Sequence, residues 1–323
     1  MIGNQLSLMT CKVRWLMISI AVCTYNRVDT LAILLNNFEL INTWLREHVE
    51  LIIIDNNSTD DTQLLLNQHR ESLDLRIFCE PKQGLATARN RALREFNGDA
   101  ILFLDDDVSI SLEALEAYLS LLNDREDIAY VGGKISIDWQ GDAPQWLKSN
   151  DLVLLNGLFG QYDLGKENLD YSDQCAMPFG ANFLLRRKLI NQVGEFDTRL
   201  GVIGQQIGRG EETDYFKRAR HLGFKGMYCA KAEVGHRFQK ERINLSYLYR
   251  YGIEKGRATV LVDGKVSNEG TFKLFIRVVS FLFRGLWQLI KGRLDRFYQC
   301  VINVGILVGA RRESDKITEG GYV

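Results

Sequence analysis

The chain has 323 residues, of which 46% are hydrophobic and 25% charged, with a formal net charge of −1. That is ordinary globular composition, long enough for one large domain or two modest ones. A near-zero charge excludes a global electrostatic footprint for nucleic acid, and three prolines without any low-complexity tract exclude a long disordered linker.

Residues 1–16 fit no signal peptide: Lys12 and Arg14 interrupt their apolar character, and no small-residue cleavage site follows a hydrophobic core. They read as an N-terminal extension, or as the product of an upstream start, ahead of a strand beginning at Met17. No apolar run of about 20 residues occurs, so no membrane-spanning helix is expected. Cys11, Cys23, Cys79, Cys175, Cys229 and Cys300 form neither a CxxC pair nor a zinc spacing. Cys23 and Cys79 end apolar runs, as buried free thiols do, which points to a reducing cytosol.

Met17–Cys23 (MISIAVC) reads as a strand running into Thr24, Tyr25, Asn26 and Arg27. A helix follows, with Leu31, Leu34, Leu35 and Phe38 at helical spacing. Leu51–Ile54 is a second strand ending at Asp55, after which Ser58 or Thr59 caps the next helix. Leu75–Cys79 is a third, running into Lys82-Gln83-Gly84, and a helix carries Leu85, Ala88, Ala92 and Phe96 on one face. The fourth strand opens ILFLDDDVS, residues 101–109. This βαβαβαβ order predicts a parallel sheet flanked by helices. Parallel strands bring Tyr25-Asn26, Asp55, Lys82–Gly84 and the Asp triplet to one rim, where open α/β sheets bind ligands.

Asp105, Asp106 and Asp107 repel one another, so a cation is expected among them. In extended chain Asp105 and Asp107 share a side. Hard oxygen ligands at that spacing suit Mg²⁺ or Mn²⁺, commonly shared with phosphate; the alternative is a solvated acidic turn. Neither GxGxxG after the first strand nor GxxxxGK[ST] is present, which removes the dinucleotide and P-loop fingerprints.

Beyond residue 110 the spacing predicts a helix over Leu112–Leu122 and a strand over Ile128–Ile137, broken at Gly132-Gly133. Residues 138–176 read as irregular functional surface. Phe179–Leu185 reads as a strand and Arg186–Val193 as a short helix closed by Gly194. Gly201, Gly204, Gly208 and Gly210 suggest a lid or hinge loop. It leads to Glu211 and Glu212 and then a helix, Tyr215–Leu222. His236 is a lone histidine, structural by itself, but a candidate metal ligand beside an acidic site. In 272–310 apolar and aromatic residues interleave with Lys273, Arg277, Arg284, Lys291, Arg293 and Arg296. Such a segment lies in a membrane interface or forms a core or oligomer contact, and the unopposed basic residues favour the membrane.

The motifs VCTYNR, IIIDNNSTDDT, QGLATARNRAL and FLDDDV, in that order and spacing, resemble the inverting glycosyltransferases of family two, which have the GT-A fold. FGANFLLRR, GEFDTRLG and GEETDYFKRAR resemble the family's second half, and the tail is similar to that of bacterial polysaccharide-assembly members. The likeness covers about residues 17–240. It implies a Rossmann-like, mostly parallel α/β sheet as a GT-A domain over 17–240, followed by a helical, basic amphipathic segment over 241–323.

The resemblance also implies roles. Tyr25 would stack on the nucleotide base, with Asn26 and Arg27 on the donor side, and Asp55 would bond the base or ribose. Arg89 would approach the nucleotide, Asp106 would face the ribose, and Asp105 and Asp107 of the DxD element would hold Mn²⁺ or Mg²⁺, joined by His236. Glu211-Glu212 match an acidic pair whose second member is usually the base, an Asp in the family and Glu212 here; the base is one of these two. The implied reaction moves a sugar from a nucleotide-diphosphate donor, most commonly uridine-linked, to a saccharide or lipid-linked saccharide. The basic tail would rest on the inner face of the cell membrane. Two other readings compete: a non-catalytic nucleotide-binding scaffold, and a haloacid-dehalogenase-like phosphotransferase using Asp105 as nucleophile. A sugar-nucleotide pyrophosphorylase shares a similar sheet but needs a glycine-rich first loop that is missing here.

Overall fold

Four parallel strands form one half of the sheet, in the order β3 (Arg76–Cys79), β2 (Val49–Asp55), β1 (Ile18–Thr24), β4 (Ala100–Asp105). The computed structural model describes residues 16–139, 157–171, 176–204, 207–264 and 271–318. Residues 1–15, much of the expected irregular stretch 138–176, and 205–206 of the glycine loop lie outside the described residues.

The apolar runs are strands because helices cover both faces. Leu51–Ile54 and Ile101–Leu104 are buried without alternation, as parallel strands covered on both sides are. Helices α1 (Val28–Leu40), α3 (Thr62–His69) and α4 (Leu85–Glu95) are the crossovers. One short helix, α2 (Asn42–His48), is not legible from periodicity, because only Leu45 of it is buried. Register sets the rim: Cys23 lies opposite Asp105, Thr24 opposite Asp55, and Asp55 opposite Cys79. The polar clusters that follow β1, β2 and β4 therefore leave the sheet at one height. Cys23 is half-buried, and burial pushes its thiol up to about 12. Cys79 is exposed instead, because β3 is the edge strand.

Beyond β4 the order continues β8 (Asn182–Arg186), β6 (Ile128–Asp138), β9 (Lys225–Arg237) and β5 (Val108–Ile110), with β7 (Leu169–Asp170) against β9. The strand expected over Phe179–Leu185 thus starts only at Asn182, and β6 runs through Gly132-Gly133 rather than breaking there. Those glycines are required by packing: a Cβ on Gly133 would stand 2.1 Å from Asn182 Nδ2 and 2.2 Å from the Ala232 carbonyl. At the neighbouring register shift, the fully buried Asn182 amide donates to the carbonyls of Lys134 (3.1 Å) and Ala232 (2.8 Å). These are backbone acceptors that burial would otherwise leave unpaired. Helix α5 (Leu112–Asp124) covers this half, with Ser111 as its cap.

Among the described residues the tail holds three α-helices, Leu245–Asp263, Thr271–Ile290 and Leu294–Thr318. The first and third meet along glycines. A Cβ on Gly256 would lie 2.1 Å from the Ile306 carbonyl, and one on Gly309 1.9 Å from that of Ile253. The middle helix leaves Phe272, Phe275, Phe283 and Trp287 exposed. Among the described residues no helix is long and apolar enough to cross a membrane. Gly309→Ala is expected to lower the thermal midpoint by an overpacking cost of about 1–3 kcal/mol, measured by calorimetry on the purified protein.

Candidate active site

The strand β4 ends at Asp105, and Asp106-Asp107 form the turn into β5, so the triplet is not the extended chain its alternation suggested. The turn still brings Asp105 and Asp107 together, because β5 pairs with β9 and sets Val108 opposite His236. One ligand atom each from Asp105, Asp107 and His236 lie within 4.8 Å of one another.

Cations from distant segments balance this charge. Arg27, half-buried, donates to Asp106 (2.7 Å) and Asp107 (2.5 Å). Asp106 also accepts from Thr24 Oγ1 at 2.8 Å. Asp107 accepts from Gln239 Nε2 at 2.6 Å, and its other oxygen lies 3.2 Å from His236 Nε2. Burial pushes Asp106 up to about 7, against the pull of Arg27. Burial works the same way on Asp107, but His236 and Arg27 outweigh it and hold that carboxyl far below the usual carboxylate range. For His236 burial opposes the charge, and Asp107 prevails and raises it.

The donor set fits a hard divalent cation. Among the described residues His236 Nδ1 is buried without a hydrogen-bond partner and Asp107 Oδ1 has only the His236 ring beside it, and two carboxylates with an imidazole suit Mn²⁺ or Mg²⁺.

Glu211 and Glu212 open the helix Glu211–His221, rather than preceding a helix that starts at Tyr215. Acidic residues in a first turn meet the positive end of the helix dipole. Their surroundings differ. Glu211 is buried and paired with Arg89 at 2.9 Å. Burial, with the neighbouring Glu212 charge, pushes it up to about 8, Arg89 opposing. Glu212 is half-buried and faces the cleft, with Oε2 unpartnered. Arg89 is 2% exposed, donates to Glu211 and to the Gly180 carbonyl (2.9 Å), and sits among the rings of Phe103, Phe183 and Phe196. Its guanidinium thus sits between Glu211 and Asp105, the latter at 3.6 Å, on the floor of the cleft.

The cleft has a volume of about 500 Å³, and Tyr25, Asn26, Arg27, Arg89, Asp105, Glu211, Glu212 and His236 all line it. An adjoining cavity of about 200 Å³ takes in Tyr25, Arg27, Asn56 and Asp105–Asp107. Asp55 lines neither: its carboxylate accepts from the Ser58 amide at 2.9 Å and from Gln63, and Asn56 faces the cavity beside it. Asn26, at φ 51°, ties the loops after β1 and β2 by accepting from the Thr59 amide at 2.6 Å. Val202 and Gly204 of the glycine loop overhang both spaces, and the Val202 carbonyl accepts from Leu85 N at the start of α4.

Sequence reasoning missed Thr24, Arg209, Gln239, Arg242, Tyr247 and Tyr251. Gln239 follows His236 by three residues and was legible only as a polar position just past it. Arg209, Arg242 and the two tyrosines reach the cleft from the glycine loop and the tail.

The family model for Glycosyl transferase family 2 matches residues 19–194. The succinoglycan biosynthesis protein ExoM of Rhizobium meliloti is 27% identical over 244 residues, 74% of this chain and 73% of that protein. A glucosyl-dolichyl phosphate glucuronosyltransferase of Haloferax volcanii is 20% identical, covering 76% of this chain and 77% of its own. Among solved structures, a mannosyltransferase of Pyrobaculum calidifontis in complex with GDP-Man and Mn²⁺ superposes with a TM-score of 0.56 at 14% identity, over 96% of this chain and 77% of that one. Glucosyl-3-phosphoglycerate synthase of Mycobacterium tuberculosis, with Mn²⁺ and UDP, gives 0.52 at 17% identity, over 78% and 82%. These structures share the GT-A fold. The Asp triplet at the end of a fourth strand, behind three βα units, separates the chain from the phosphotransferase pattern.

Arg89→Met leaves Glu211 buried without its cation and is expected to cost about 3–5 kcal/mol in denaturant unfolding. Arg89→Met with Glu211→Gln should recover part of that loss, and a purely additive double variant would show that the pair does not interact.

Proposed function

The chain belongs to glycosyltransferase family 2, and from that footing we propose that it moves a sugar, with inversion, from a UDP-linked donor to a saccharide or lipid-linked saccharide in cell-surface polysaccharide synthesis. The observation that carries this reading is a cleft lined both by Asp105 and His236 of the metal-competent triad and by a carboxylate, Glu212, with Asp107 in the adjoining cavity. In this reading Tyr25 offers its ring to the base, and Asp55 shapes the base-side loop. Arg27 and Arg242 supply positive charge on the phosphate side. A divalent cation held by Asp105, Asp107 and His236 would act as Lewis acid for the departing diphosphate. Glu212 takes the proton of the acceptor hydroxyl as general base. Glu211, held by Arg89, fixes the first turn that carries Glu212. Attack from the side opposite the leaving group inverts the anomeric centre. The glycine loop, closing over the cleft, excludes the water that would hydrolyse the donor.

Residues 17–240 form the catalytic domain in this reading, and 241–323 a helical segment that lends Tyr247 and Tyr251 to the cleft. The exposed aromatic face of Thr271–Ile290, with its basic flanks, would place the protein at the cytoplasmic face of the membrane.

Calorimetry with a panel of nucleotide sugars, in Mn²⁺, Mg²⁺ or EDTA, tests the donor side. One nucleotide sugar should bind only with metal, and Asp107→Ala should abolish that binding. Binding of no nucleotide under any condition would overturn both the transferase reading and the nucleotide-binding scaffold, whereas nucleotide binding without any transfer would leave the scaffold. Glu212→Gln should keep donor binding and lower transfer about 10²–10⁴-fold; an equal loss in Glu211→Gln alone would move the base to that residue. For the membrane, Phe275→Ser with Trp287→Ser should strip the full-length protein from vesicles containing anionic lipid. Undiminished co-sedimentation would exclude this helix as the anchor.

A further inference from the structure

Behind Glu212 lies a further cavity of about 420 Å³, within the size range of small-molecule sites. Arg209, Glu212, Phe179 and Tyr251 line both it and the cleft, so the two spaces meet at the carboxylate. One wall is the helix Leu245–Asp263, which presents Lys255, Ala258, Thr259 and Val262 at the spacing of one helical face. Met177, Pro178 and Phe179 form the apolar wall opposite.

The charges in this cavity do not balance locally. Lys217 is paired with Asp263. Arg209 stacks on Tyr251 at 4.6 Å and donates to the Gly157 carbonyl at 3.3 Å, its charge facing the Glu211–Glu212 pair. Lys255 is half-buried, and among the described residues no ion pair or hydrogen bond reaches its ammonium. Burial and the nearby Arg209 both work against its charge and lower its pKa. A partly desolvated ammonium beside a guanidinium is unfavourable until an anion arrives to accept from both.

We propose that this cavity seats the acceptor, and that Lys255 with Arg209 selects an acceptor carrying an oxyanion near the hydroxyl that receives the sugar. The oxyanion is a phosphate ester or a sugar carboxylate. The inference rests on the transferase reading for the direction of transfer and deepens it by giving the acceptor a charge. The apolar wall accommodates the face of a sugar ring, and Glu212, shared by both spaces, stands between donor and acceptor.

The test titrates full-length protein, with Mn²⁺ and excess UDP present, with three probes: phenyl phosphate, phenyl glucuronide and neutral phenyl glucoside. Wild type should prefer an anionic probe over the neutral one by about tenfold, the scale of one charge-assisted contact. Preference for the phosphate assigns a phosphorylated acceptor, and preference for the glucuronide an acidic saccharide. Lys255→Gln should erase the preference and Lys255→Arg should keep it, which separates lost charge from a lost fold. Equal binding of all three probes, or a preference that survives Lys255→Gln, overturns the inference. UDP binding is read separately: UDP binding without anion preference removes only the acceptor inference, whereas anion preference without UDP binding removes the UDP-linked donor of the proposed reaction and leaves the acceptor inference standing.

Discussion

Three carboxylates in succession at the end of a buried strand repel one another, and the fold depends on how that repulsion is met. Water is largely excluded from Asp106 and Asp107, so their charge must be balanced by protein or by a bound cation. The chain draws Arg27 from the loop after β1, Arg89 from α4, His236 from β9 and Arg242 from just beyond it. Each of these elements is fixed in place by its own packing. The acidic centre is therefore a joint to which four separate parts of the molecule are tied by charge.

The same logic extends along the cleft. Arg89 spans the interval between Asp105, at 3.6 Å, and Glu211, at 2.9 Å. It is in contact with both the metal-competent group and the acidic pair. Three aromatic rings around its guanidinium hold that position against rotation. The cleft thus holds Asp105 and Glu211 apart on either side of one guanidinium, the kind of separation that the proposed in-line displacement would demand between leaving group and base.

Much of this was legible in the sequence. Apolar runs ending in Thr24, Asp55 and Asp105 state the parallel sheet and its rim directly, because buried parallel strands read as continuous hydrophobic stretches. The triplet and Glu211-Glu212 stand out as charges where a core would exclude them. The remainder was hidden for physical reasons. Helix α2 buries a single residue and so leaves no periodic stripe. Gln239 and Arg242 become partners only through the pairing of β9 with β5, a contact between distant segments that no local pattern encodes. Arg89's contact with Glu211 joins residues 122 positions apart, which no local pattern encodes. Lys255 belongs to a helix whose hydrophobic pattern is unremarkable.

The pairing of β5 with β9 has a further effect. Successive strand residues face opposite ways, so a slip of one position would turn His236 away from Asp107. Asp107 and Gln239 are separated by 132 positions in the chain, and closing so long a loop is among the slower events of folding. The ligand triad therefore comes into being only once the final strand has docked in its correct alignment. If the triad holds a cation as proposed, uptake of that cation would report that β9 has docked in register, and a protein with that strand misaligned would be silent to the metal.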